Sequence, residues 1–142
     1  MSGESVVYGY IKDWLVQDRE RQLGRAEHNR RVLGSLPHAE TWELLHRDMF
    51  AASHPQDQLL PVSQVIHFAA TYRSVEYEWS TWVGQFEAVL KCLYWSTAVV
   101  HLEAEYHGSH RFSWQSDSYE LLTPEQQLGM RCVWEHERGP VL

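Results

Sequence analysis

The sequence is poor in the residues that mark several large classes of protein. Only two of its 142 residues are cysteine, Cys92 and Cys132, and they form no CxxC pair. A disulfide-stapled mini-domain is thereby excluded, and free thiols in a reducing cytoplasm are the expectation. Lysine is scarce as well: apart from Lys12 and Lys91, every basic residue is arginine. No apolar run approaches the roughly 18 residues of a membrane span. The opening MSGESVVYGY lacks the basic and apolar regions of a signal peptide. A cytoplasmic location without membrane contact follows as an expectation. GxSxG, GxxxxGK[ST], GxGxxG and HExxH are all missing, so the common hydrolase, NTPase, dinucleotide and metalloprotease fingerprints are absent and no cofactor is implied.

What is present is aromatic and acidic. Seven Trp and seven Tyr accompany a formal net charge of −7. This disfavours a general nucleic-acid binder with a uniformly basic surface, and no nucleic-acid partner is expected. The acidity is uneven. Residues 1–50 carry 7 basic and 8 acidic groups, a net of −1, whereas 51–142 carry 5 and 11, a net of −6. A chain of this length fits one domain, 1–142.

Local patterns place the elements. Ser5–Ile11 is β-branched and aromatic and reads as a strand. Asp18 to Leu33 reads as an outer helix capped by Asp18 and stopped at Gly34, its arginines in water. Residues 35–61, punctuated by Pro37, Pro55 and Pro61, read as a long connection in which Thr41–Leu45 form at most a turn or two of helix. Val62–Thr71 reads as a central strand. Glu76–Leu93 repeats apolar residues at helical spacing. Thr97–Tyr106 alternates strictly, and Arg111–Gln115 supplies its hairpin partner. Thr123-Pro124-Glu125-Gln126 carries capping-box chemistry and predicts a short C-terminal helix. The last apolar strip, Met130–Trp134, is expected to dock on the body. The order β-α-β-α-β-β predicts an α+β domain: a mixed, mainly antiparallel sheet of about four strands with two main helices on one face.

Two clusters could carry chemistry. His101, Glu103, Glu105 and His107 fall on one face of the alternating strand, and His67 on the preceding strand could join His101, Glu103 and Glu105 as metal ligands or an acid/base set. The bland reading is the wet face of a sheet; as such it forms an anionic surface on which a basic partner could dock, with Trp114 as an edge aromatic. The second cluster, Arg19, Arg21, Arg25, Arg30 and Arg31, could contact phosphate, although Asp18, Glu20 and Glu27 offset much of its charge.

The stretches HNRRVLGSLP (His28–Pro37), VIHFAATYRSVEYEW (Val65–Trp79) and FEAVLKCLYWSTAVVHLE (Phe86–Glu103) resemble small bacterial immunity proteins of polymorphic-toxin and type VI secretion systems. The resemblance lies in general style over residues 5–115, without a diagnostic motif. It implies a non-enzymatic inhibitor whose partner is a cognate protein toxin. Where that toxin is a nuclease, an acidic face would mimic the displaced nucleic acid. His101, Glu103, Glu105, His107 and Trp114 are the expected contacts. The alternative is a small metal-dependent or acid/base enzyme built on His67, His101, Glu103 and Glu105. A homodimeric adaptor is a third arrangement.

Overall fold

The computed structural model describes residues 3–37, 44–53 and 62–136. Strand β1 (Glu4–Lys12) leads into helix α1 (Arg19–Gly34), and a 3-10 turn at Arg47–Met49 precedes the short strand β2 (Phe50–Ala52). Strand β3 (Val65–Arg73), a second 3-10 turn (Val75–Glu78) and helix α2 (Trp79–Leu90) follow. Strands β4 (Thr97–Ala104), β5 (Gly108–Gln115) and β6 (Met130–His136) complete the fold.

The α+β class holds, but the sheet is larger than its clearest sequence signals suggest. It has six strands in the order β2-β3-β1-β4-β5-β6, and every neighbouring pair is antiparallel. β1 lies between β3 and β4, which therefore run parallel to each other and are joined by the crossover through α2, a split βαβ unit. The expected C-terminal helix is not formed. Gln126 Oε1 does accept from the Thr123 backbone N–H at 2.7 Å, as a capping box requires, but the segment makes one turn and passes into β6. Thr41–Trp42–Glu43 lie outside the described residues, as do Pro55 and Pro61.

Pairing parity assigns the two faces, because directly opposed residues point to the same side. Val7, Ile11, Ile66, Phe68, Val100, Leu102, Phe112 and Trp114 share one face and are all buried. On them packs α2, whose Trp82, Phe86, Val89 and Leu90 recur at helical spacing and are buried. The contact is aromatic: Trp79 stacks on Trp82 at 4.8 Å, Trp82 on Phe86 at 5.1 Å, and Phe86 lies 5.4 Å from Phe68 and 5.1 Å from Trp114. Gly9 occupies the centre of this face. A Cβ there would sit 1.9 Å from the Val99 carbonyl oxygen and 2.9 Å from Phe68 Cζ, so only glycine fits.

Helix α1 is held differently. Its inward side is Gln22, Arg25, Ala26, Asn29 and Leu33, mostly polar, so the expectation that its arginines all lie in water fails at Arg25. Each buried polar group has a partner at one end of the sheet. Gln22 Nε2 donates to Val62 O. Asn29 Nδ2 donates to Gln64 Oε1 at 3.0 Å and Tyr94 O at 2.9 Å, while its oxygen accepts from Tyr94 N at 2.8 Å. Arg25 forms a two-bond fork with Asp13, from Nε at 2.9 Å and from its terminal nitrogen at 2.8 Å. These partners sit just after β1, before β3 and before β4, which antiparallel pairing brings to the same edge. The Asp18 cap is as the sequence predicts, its carboxylate accepting from the Glu20 and Arg21 backbone N–H groups.

Candidate functional site

The face of the sheet turned away from α2 carries two of the sequence-predicted contact residues, His101 and Glu103. One register row across it runs Ala69, Tyr8, His101, Arg111 and Val133. The next runs Ala51, His67, Tyr10, Val99, Ser113 and Arg131. On the other side, Thr71, Val6, Glu103 and Ser109 form a third. Tyr8 and His101 stack with ring centres 4.9 Å apart and planes 14° apart. His67, Ala69, Glu103, Arg111, Arg131 and Val133 are exposed, whereas Val99 is 1% exposed in their midst.

The expected contact set is split by the fold. His101 and Glu103 lie on this open face. Glu105 belongs to the turn after β4, where its carboxylate accepts from the Glu4 backbone N–H at 3.0 Å and its own N–H donates to Glu4 O. His107, in the same turn, faces the helix side. Its Nε2 is 3.2 Å from the Tyr77 hydroxyl, and it lines a cleft of about 270 Å³ with Glu76, Trp79, Leu102, His110 and Phe112. Trp114 is 1% exposed and cannot serve as an edge aromatic. It shares the inner face with Phe112, and its indole N–H donates to Glu87 of α2 at 2.9 Å.

The proposed ligand set does not converge either. β1 separates His67 on β3 from β4, a gap of about 9.6 Å at the usual strand spacing. His67 is in register with Tyr10 and Val99, whereas His101 is in register with Tyr8. Among the described residues no group of three His, Cys, Asp or Glu side chains could hold a metal ion.

The electrostatics of the open face also differ from those of strand 97–106 alone. Among the described residues Lys12, Arg73, Arg111 and Arg131 share it with Glu4 and Glu103, and Glu105 lines a cleft at its edge with Glu4, Thr71 and Arg73, so its charge is mixed. The sequence signal for these cations is the alternation of β1 (Tyr8, Tyr10, Lys12 against Val7, Gly9, Ile11) and of β5 (Arg111, Ser113 against Phe112, Trp114); their grouping with β4 needs the sheet order.

A second polar surface lies on α1. Arg21, Gly24, Arg25, His28 and Arg31, with Tyr94 and Glu120, line a cleft of about 310 Å³. Burial alone would lower the Arg25 pKa, but the hydrogen bonds and charge of Asp13 outweigh it and hold the guanidinium above its ordinary value. Its charge is therefore permanent and largely neutralised by Asp13.

Compared with known proteins, the chain matches no family model, no curated protein and no solved structure. Among the described residues no helix is long and apolar enough to cross a membrane.

Proposed function

We propose that the chain is a non-enzymatic binding protein of the toxin-immunity kind, which neutralises a cognate protein toxin by laying the open face of its sheet against it. The observation that carries this reading is the composition of that face. Stacked Tyr8 and His101, with Tyr10 beside them, are surrounded by Arg111, Arg131, Lys12 and Glu103. Tyr and Arg are the residues that most often dominate binding energy at protein interfaces, because they bring large contact area and directional polar groups together. A six-stranded antiparallel sheet displays them on a rigid platform, which keeps the ordering cost of association low.

The mixed charge alters the electrostatic expectation. The acidity of 51–142 is not gathered on this face, so the fit is to a partner surface carrying both signs, with acidic groups opposite Arg111 and Arg131. The nucleic-acid mimic expected for a nuclease inhibitor has no support from it.

The test is protection. The products of the genes flanking this one are screened for toxicity, each toxic product is co-expressed in cells with the wild-type chain or with Tyr8→Ala/Arg111→Glu, and affinity is measured on the purified pair. Wild type is expected to protect. The double variant is expected to lose about a thousandfold in affinity, since each anchor contributes about 2 kcal/mol, with its thermal midpoint unchanged. Full protection by the double variant refutes the assigned face; failure of the wild type to bind refutes the function.

A further inference from the structure

The cleft on α1 has features that the sheet face does not explain. Its helical lining positions, 21, 24, 25, 28 and 31, fall within one side of α1 at 100° per residue. Arg25 is its fixed wall: two bonds to Asp13, one to Tyr119 O at 2.6 Å, and a guanidinium 4.3 Å over the Tyr94 ring leave it no freedom. His28 is fixed too, its Nε2 2.8 Å from Cys92 O and its ring edge-on to Tyr94 at 5.0 Å. Arg21 and Arg31 are exposed and, among the described residues, neither has an ion-pair partner. Glu120 is the one acid lining the cleft besides these groups, so with Arg25 neutralised by Asp13 the remaining charge is positive.

Gly24 stands between these cations. Glycine inside a helix is unfavourable relative to alanine, yet a Cβ at Gly24 would meet nothing within 4 Å. Gly84 inside α2 is equally free of contacts, and what sets Gly24 apart is its place in the lining of the cleft, where its bare backbone leaves the middle open.

We infer that this cleft binds a small organic phosphate of nucleotide size. Arg21 and Arg31 stand ten residues apart on α1, about 15 Å along its axis, so the Arg21 fork would take the phosphate oxygens by charge-assisted hydrogen bonds, the organic part would lie along the bare backbone at Gly24 and beside Tyr94, and Arg31 would border its far end. The volume of about 310 Å³ is at the lower end of small-molecule sites and matches a ligand of mononucleotide size. Fixed Arg25 and His28 keep the wall formed before the ligand arrives, which limits the entropy lost on binding. This site lies apart from the open sheet face and does not depend on the toxin-binding reading.

Calorimetric titration of the full chain at low salt, with adenosine monophosphate, ribose 5-phosphate, inorganic phosphate and a short single-stranded oligonucleotide as probes, tests the inference. The mononucleotide is expected to bind more tightly than ribose phosphate or inorganic phosphate. Arg21→Gln/Arg31→Gln is expected to weaken it about tenfold or more, the effect of losing a charged hydrogen bond. Gly24→Met, whose Cβ would meet nothing within 4 Å, adds side-chain bulk at the cleft and is expected to abolish binding without lowering the thermal midpoint. Arg131→Gln, on the sheet face, is expected to change nothing. No binding of the mononucleotide at millimolar concentration, equal affinity for inorganic phosphate, preference for the oligonucleotide, or indifference to Gly24→Met and to the double Arg substitution would each overturn the inference.

Discussion

Arg25 and Asp13 provide the sharpest test of how α1 is held. Both side chains are almost fully buried, at 7% and 3% exposure, and their closest approach is 2.8 Å. The chain also supplies its own control, the Arg30–Glu27 pair on the same helix at 3.2 Å, with side chains 48% and 53% exposed. Truncating Asp13 to Ala leaves a buried guanidinium whose remaining partners are the Tyr119 carbonyl and the Tyr94 ring. Stranding one member of a buried pair costs about 3–5 kcal/mol, because the desolvation penalty persists after the attraction is gone. Glu27→Ala is expected to cost under about 0.5 kcal/mol, since water already solvates both partners. Replacing both buried charges, Asp13→Leu with Arg25→Met, is expected to restore most of the loss, as apolar groups of similar volume carry no desolvation penalty. Urea unfolding followed by tryptophan fluorescence measures all three, with an unchanged slope certifying that the unfolded state is the same. An Asp13→Ala loss no larger than that of Glu27→Ala would falsify the argument that burial decides the strength of this pair.

Two further perturbations read the core. Gly9→Ala is expected to cost about 3 kcal/mol or more, because its nearest clash is with a backbone oxygen at 1.9 Å, whereas Gly24→Ala is expected to gain up to about 1 kcal/mol; thermal melts that rank these two glycines the other way would contradict the geometry. Tyr72 donates its hydroxyl to Leu44 O and accepts from the Trp82 indole at 3.1 Å, so Tyr72→Phe is expected to lose about 1–3 kcal/mol at neutral pH. Burial raises the Tyr72 pKa, partly offset by the Trp82 hydrogen bond. Its unfolded phenol therefore ionises first, and the stability it contributes is complete below about pH 10 and declines as pH rises through the folded value. The difference in urea midpoint between wild type and Tyr72→Phe is expected to hold below about pH 10 and to shrink as pH rises above it; a constant difference would refute the assignment.

The elements legible in the sequence are those whose signal is local. β1, β3, β4 and α2 alternate or repeat within their own residues, and Asp18 caps α1 as a cap motif predicts. β2 and β6 are edge strands with one neighbour each, so their sequences need not carry two buried faces; Phe50–Ala52 is too short to show a period, and Met130 and Val133 remain exposed. The capping box at Thr123 shows that a correct local hydrogen bond does not propagate a helix. Trp114 was legible in principle, since RFSWQ places Phe112 and Trp114 on one side and Arg111 and Ser113 on the other. The burial of Arg25 was not, because its partner Asp13 is on a different element and nothing in the spacing of α1 distinguishes Arg25 from Arg21.

The same locality explains why net charge misled the reading of the surface. A total of −7 describes the far field, which at physiological ionic strength is screened within about 8 Å. A docking partner responds to the charges within that radius, and those are set by register. Pairing β4 with β5, and β5 with β6, brings Arg111 and Arg131 onto the face of His101 and Glu103, from positions 8 to 30 residues distant in the chain. On α1 the helical repeat puts Arg21 and Arg31 on one side, to either end of the cleft at Gly24, while Asp13 neutralises Arg25. An acidic chain thus presents a sheet face of mixed charge and a locally cationic helix face. Association at either with an acidic group weakens as salt rises, opposite to the repulsion that the net charge alone would predict for an anion, and salt dependence is therefore the measurement that separates local from global electrostatics in this protein.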